Sequence, residues 1–186
     1  MPNWSSCSIK FKSEETVSGL FKLESLFNNI KKHGFNFGTT VVEHKTVDKQ
    51  RTAWGTKWNM NPNEAYLIMK NNSIIMDFDS PWCGPHKWFK TICKEHSLSG
   101  SYFDCEQGDN FAHKIEYQNG ELELEEENKY FSELSIEHLG IDYFLEDFEF
   151  LLEDDSDLSE VDQSILNLFN KHGYTKQDLI NTWKGD

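Results

Sequence analysis

The sequence predicts an α+β fold of the ferredoxin-like kind, with an acidic helical module appended. Two observations carry that prediction. Element signals run strand, helix, strand, strand, helix, strand, an order that gives an antiparallel sheet with both helices on one face. All of the net charge then falls on residues 121–186, and the pattern turns helical after residue 128, which together separate residues 1–127 from residues 128–186.

Ser8 to Lys12 alternates, with Ile9 and Phe11 turned inward, and reads as the first strand. Ser13 followed by Glu14, Glu15 and Thr16 is a helix start, with a cap and early acids. Val17, Leu20, Phe21, Leu23, Leu26, Phe27 and Ile30 recur at helical spacing, and Lys31-Lys32-His33-Gly34 ends the run. His33 there is a partner for the helix dipole and not a ligand. Phe35 to Val47 is rich in strand formers, and polar residues 48–52 read as a loop. Tyr66–Met69 and Ser73–Asp79 form a hairpin through Asn71-Asn72. Pro81 to Pro85 breaks the chain. Trp88, Phe89, Ile92 and Cys93 line a second helix, and Ser101–Glu106 and Phe111–Gln118 are strands before the Asn119-Gly120 turn.

Beyond residue 128 the spacing becomes helical. Tyr130–Leu139 is one segment, and Ile141, Phe144, Leu145, Phe148, Leu151 and Leu152 mark another with acids between them. Ser159 with Asp162 opens a third, closed by Gly173, and Thr175 with Asp178 caps a last short helix. Each segment has an apolar face, so the module is folded.

At 186 residues and 14% aromatics the chain can bury a core without staples. It has no run near the roughly 18 apolar residues of a membrane helix. The opening Met1-Pro2-Asn3-Trp4-Ser5-Ser6-Cys7 lacks a basic stretch leading into an apolar one. Four cysteines (Cys7, Cys83, Cys93, Cys105) are too few for a secreted disulfide scaffold of this size. The expectation is free thiols, no membrane contact and a cytoplasmic location, the host's cytosol if the chain is carried by a virus or plasmid. Residues 1–120 hold 13 acids against 14 lysines and arginines; residues 121–186 hold 19 acids against four lysines.

Four stretches together resemble one family: Met1-Pro2-Asn3-Trp4, Trp54-Gly55-Thr56-Lys57-Trp58, Phe78-Asp79-Ser80-Pro81-Trp82 and Gly108-Asp109-Asn110-Phe111-Ala112. Residues 1–118 look like the Api92-like, or YubB-like, ferredoxin-like domain family. That resemblance implies the fold and an origin on a phage or plasmid. It implies no catalytic residue.

Candidate chemistry is sparse. Cys83 with His86 and Cys93 with His96 have zinc-like spacing. A helix over residues 86–96, however, would set His86 and Cys93 about 10 Å apart along its axis, too far for one ion. Cys83 at a helix start near His86 could serve as a nucleophile, but no third group orients the pair. Neither a catalytic set, a metal site nor a cofactor is predicted. Trp54, Trp58 and Trp82 are a candidate aromatic platform on the sheet. The acids Asp142, Glu146, Asp147, Glu149, Glu153, Asp154, Asp155 and Asp157, with Phe148 among them, are the candidate partner-binding surface. The expected function is therefore non-enzymatic: a protein-binding module whose acidic surface mimics DNA. Its partner would be a basic, nucleic-acid-binding host protein such as a restriction or CRISPR effector. The alternative is a single-stranded nucleic-acid or peptide binder using the aromatic sheet face.

Overall fold

The computed structural model describes residues 3–34, 47–130, 132–141, 143–144, 163–175 and 177–179. The chain divides into two compact units, Met1–Glu127 and Asn128–Asp186.

The first unit runs β1 (Trp4–Lys12), α1 (Val17–His33), α2 (Val47–Trp54), β2 (Tyr66–Lys70), β3 (Ser73–Pro81), α3 (His86–His96), β4 (Ser99–Glu106), β5 (Phe111–Gln118) and β6 (Glu121–Asn128). The sheet order is β2-β3-β1-β4-β5-β6. Its first four strands have the ferredoxin-like order, with β3 inserted between β1 and β2. β5 and β6 extend the sheet at one side, and β6 is the edge strand among the described residues.

β1 lies antiparallel to both β3 and β4. Because side chains alternate across a strand, its odd residues form one inward row. Phe11 faces Ile74 and Gly100, Ile9 faces Met76 and Tyr102, and Cys7 faces Phe78 and Asp104. Leu23, Leu26 and Ile30 of α1 and Trp88, Phe89, Ile92 and Cys93 of α3 join that row in one core. The Phe11 ring lies 5.6 Å from Trp88 and 5.4 Å from Phe89. Phe103 and Cys105 point to the opposite face and are also buried.

Two local expectations need correction. α1 is capped by Thr16, whose Oγ1 accepts from the Gly19 amide at 3.0 Å, and not by Ser13. Ser13 is held elsewhere: its N–H donates to Asn72 O at 3.1 Å, and Asn72 Nδ2 donates to Ser13 O at 2.9 Å. Residues 48–52 are helical, not a loop. α2 shows no apolar stripe because it is anchored at its end, through Ala53 and the buried Trp54.

In the second unit, α4 (Glu133–Leu139) buries Leu134 and Ile136, and α5 (Gln163–Lys171) buries Leu166 and Phe169. Lys171 Nζ and His172 Nε2 reach Glu133 at 2.7 and 2.9 Å, tying the two helices together. Thr175 and Asp178 form the expected reciprocal cap: Asp178 N–H donates to Thr175 Oγ1 at 3.2 Å, and Thr175 N–H donates to Asp178 Oδ2 at 2.6 Å. The Ser159 and Asp162 helix start lies outside the described residues, as does most of 35–47.

Candidate functional site

One end of the sheet gathers the start of β1, the ends of β3 and β4, the start of β5, the end of β6 and the first turn of α3. The four stretches singled out in the sequence meet there. Thr56 Oγ1 lies 2.7 Å from Ser80 Oγ and donates to Pro81 O at 3.3 Å, joining the second stretch to the third. Trp82 N–H donates to Asn3 O at 2.9 Å, joining the third to the first. The Glu106 carboxylate accepts from the amides of Gly108 (2.7 Å) and Asp109, and from Asn3 Nδ2 (3.5 Å), joining the first to the fourth. The stretches are thus one hydrogen-bonded corner.

Behind that corner is a pocket of about 250 Å³, lined by Cys83, His86, Asp104, Phe111, Ala112, His113 and Glu127. Its most buried ionisable group is Asp104, which is 1% exposed. Cross-strand pairing sets Asp104 opposite Cys7 on one side and His113 on the other. Oδ2 accepts from the Gly84 amide at 2.7 Å and from Ser5 Oγ at 3.4 Å. Oδ1 takes no hydrogen bond among the described residues and lies 3.7 Å from His113 Nδ1. The buried Tyr102 hydroxyl adds a weaker pull on the carboxylate, outside ordinary hydrogen-bond geometry. Burial dominates: it raises the Asp104 pKa to about 6, against the lowering effect of the Gly84 amide and His113.

Gly84 makes this arrangement possible. A Cβ on it would lie 2.3 Å from the Tyr102 hydroxyl and 2.7 Å from Cys7 Sγ, so only glycine brings its amide to the carboxylate.

His113 bridges two carboxylates. Its Nε2 lies 3.3 Å from Glu125 Oε1, the same oxygen that Lys90 Nζ holds in an ion pair. The His86 ring stands at 67° to the His113 ring with centroids 5.4 Å apart. Burial, and next the neighbouring His113, lower the His86 pKa to about 4, so this imidazole is neutral at pH 7. Cys83 Sγ donates to Gly55 O at 2.9 Å, and burial with the nearby Asp104 pushes the thiol up to about 11. A protonated, hydrogen-bonded thiol is a poor nucleophile.

The predicted site residues separate into three groups. Trp58 and Trp82 are 42% and 44% exposed, but Trp54 is 3% exposed. That corrects its place in an aromatic platform: it closes α2 and belongs to the core. Trp4, 54% exposed, takes its place, with its ring centroid 6.4 Å from that of Trp58. The acidic candidates from Asp142 to Asp157, with Phe148, lie outside the described residues. Cys93 is fully buried in the core, apart from Cys83 and His86 in the pocket wall, so the four zinc-spaced residues do not form one set. Sequence reading missed Asp104, His113 and Glu125, because only cross-strand register reveals their juxtaposition.

No family model and no curated protein matches the sequence. Among solved structures the chain is similar to protein api92 from Yersinia pseudotuberculosis, assigned to the DUF1281 family, at 19% identity with a TM-score of 0.38. The match takes in 47% of this chain and 30% of that one. The likeness is distant, and the fold assignment stands on the strand order. Among the described residues no helix is long and apolar enough to cross a membrane.

Proposed function

We propose that this chain is a non-enzymatic protein-binding module that uses an acidic surface to occupy the nucleic-acid groove of a basic partner. An inhibitor of a restriction or CRISPR effector, carried by a phage or plasmid, is the form of this reading that fits the motif resemblance.

One observation carries the proposal. The first part of the acidic region, β6, is an ordered edge strand with Glu121, Glu123, Glu126 and Glu127 all exposed. Consecutive strand residues advance about 3.4 Å, and one DNA strand carries one phosphate charge per about 3.4 Å of axis. Side chains alternate across the strand, so Glu121 and Glu123 on one face and Glu126 on the other set like charges at about 7 Å same-face spacing, about half the linear charge density of a nucleic-acid strand, on a rigid support. Seventeen acids against one lysine between Glu121 and Asp162 extend the same charge along the sequence. Like charges held this closely repel one another, and a basic groove relieves that repulsion.

The test is capture from host lysate by the full chain, with a salt-gradient elution. A parallel chain carries amides in place of Glu146, Asp147, Glu149, Glu153, Asp154 and Asp155. A nucleic-acid-processing protein retained by the first, released at moderate salt and absent from the second supports the reading. Equal capture by both chains would refute it.

A second reading has its own observation. Trp4 and Trp58 form an exposed aromatic pair, and Lys57 Nζ lies 4.8 Å from the Trp58 ring centre. A pocket of about 250 Å³ opens beside Trp4, lined also by Met60, Phe78 and Asp79. The exposed positions of neighbouring β3 are Asp77 and Asp79, which repel phosphates, so this corner favours a peptide over single-stranded nucleic acid. Trp4→Ala with Trp58→Ala would abolish capture under this reading and leave it intact under the first.

A further inference from the structure

We infer that His113, Glu125 and Glu127 form a binding site for a zinc ion, with Asp104 as the group that orients His113. The three residues project from β5 and β6 toward the α3 side of the sheet. One ligand atom from each lies within 4.8 Å of the other two. Zinc bonds of 2.0–2.2 Å set tetrahedral ligand atoms roughly 3.4 Å apart. His113 Nε2 and Glu125 Oε1 already stand at 3.3 Å, and Glu127, an exposed side chain at the rim of the pocket, closes the remainder by rotation. One imidazole with two carboxylates suits a borderline transition ion better than magnesium or calcium, which favour all-oxygen shells.

An independent observation separates this set from an ordinary acidic cluster. Asp104, 1% exposed, aims Oδ1 at the far side of the same imidazole, with no hydrogen bond to it among the described residues. A histidine that gives Nε2 to a metal must carry its proton on Nδ1, and a carboxylate behind Nδ1 fixes that tautomer. The 3.7 Å separation leaves this bond to form on binding. Oδ2 alone serves Gly84 and Ser5, which leaves Oδ1 for this orienting role.

The wall of the pocket completes the environment. His86 stands against the His113 ring and places its own Nδ1 3.3 Å from Gly84 O. Lys90 is the built-in competitor: it pairs with Glu125 Oε1, and a dication must displace or share that contact.

Zinc titration of the metal-stripped full chain by calorimetry, with cobalt absorption as a second readout of nitrogen ligation, tests the site. One ion per chain is expected. His113→Asn should abolish the cobalt spectrum, and Glu127→Gln, an exposed substitution that leaves the fold intact by circular dichroism, should weaken zinc about tenfold or more. Asp104→Asn should weaken it about 10- to 100-fold, as loss of an orienting partner does. Lys90→Met should tighten it, which a merely structural role for the cluster does not predict. Zinc binding unchanged in either His113→Asn or Glu127→Gln would place the ion on other acids and overturn the assignment, as would a wild-type chain that binds no zinc.

Discussion

β4 and β6 belong to one sheet, separated only by β5, and they treat carboxylates in opposite ways. β4 buries Asp104, held by the Gly84 amide and the Ser5 hydroxyl, and Glu106, held by the amides of Gly108, Asp109 and the Asn3 side chain. β6 carries five glutamates in eight residues and leaves four of them to solvent or to a partner. The chemistry of the side chain is the same. Position in the sheet decides whether the charge organises the interior or forms a surface. Glu125 lies between the two regimes, drawn inward by Lys90 and His113 while its neighbours stay out.

Substitutions can break that contrast, and the largest effect is expected at its buried end. Gly84→Val should cost about 3 kcal/mol or more in urea unfolding, because the added carbons strike Tyr102 and Cys7 and pull the amide from Asp104. The same substitution at Gly140 meets no described atom within 4 Å of an added Cβ, so its cost is confined to the backbone strain that a φ of 88° imposes on a β-branched residue.

Next in size are two opposed pH slopes. Asp104 has its folded pKa raised from 3.8 to about 6, so the fold binds its proton more tightly than the unfolded chain does. Its contribution therefore falls as pH rises between these values, by up to about 3 kcal/mol. His86 has its folded pKa lowered from 6.5 to about 4, so the unfolded chain binds that proton more tightly and stability rises with pH across nearly the same window. His86 is only partly buried, and its slope is the smaller. In the wild type the two largely offset each other. Unfolding curves between pH 4 and 6 should show stability rising with pH in Asp104→Asn and falling with pH in His86→Gln. Parallel curves for the two variants would show that the groups do not titrate as their surroundings imply.

At the exposed end, the changes in stability should be small. Replacing Glu121, Glu123, Glu126 and Glu127 by Gln together should shift stability by about 1 kcal/mol or less, in either direction, while lowering the salt sensitivity of any basic partner's binding. Trp4→Ala should be smaller still in unfolding, since more than half of that ring is already in water.

Much of the fold was legible because its signals are local. Asn119-Gly120 turns where its two positive φ angles require it, at 50° and 86°. Trp88, Phe89, Ile92 and Cys93 are all inward in α3. α2 was missed because its residues are polar and its anchor sits at one end. The pocket was illegible for a different reason. β4 has both faces covered at its end, so Tyr102 to Glu106 lose the alternation that would have marked Asp104 as inward. His113 meets Asp104 through strand pairing, a contact that no spacing rule anticipates. The aromatic corner was legible in composition but not in membership: Trp54 and Trp4 exchange roles according to which backbone carries them.

The four cysteines, none of them in a disulfide, give the molecule a chemical clock. Cys7, Cys93 and Cys105 are buried, and burial with the nearby Asp104 keeps the proton on Cys83, whose thiol donates to Gly55 O. Burial also drives the Cys7 and Cys93 thiols upward, away from the reactive thiolate. A thiol-directed dye added at neutral pH should therefore leave the native chain almost unmarked and label each cysteine only as its surroundings open. Mass spectrometry of the labelled chain would time the loosening of the corner at Cys83 separately from the release of the core at Cys93.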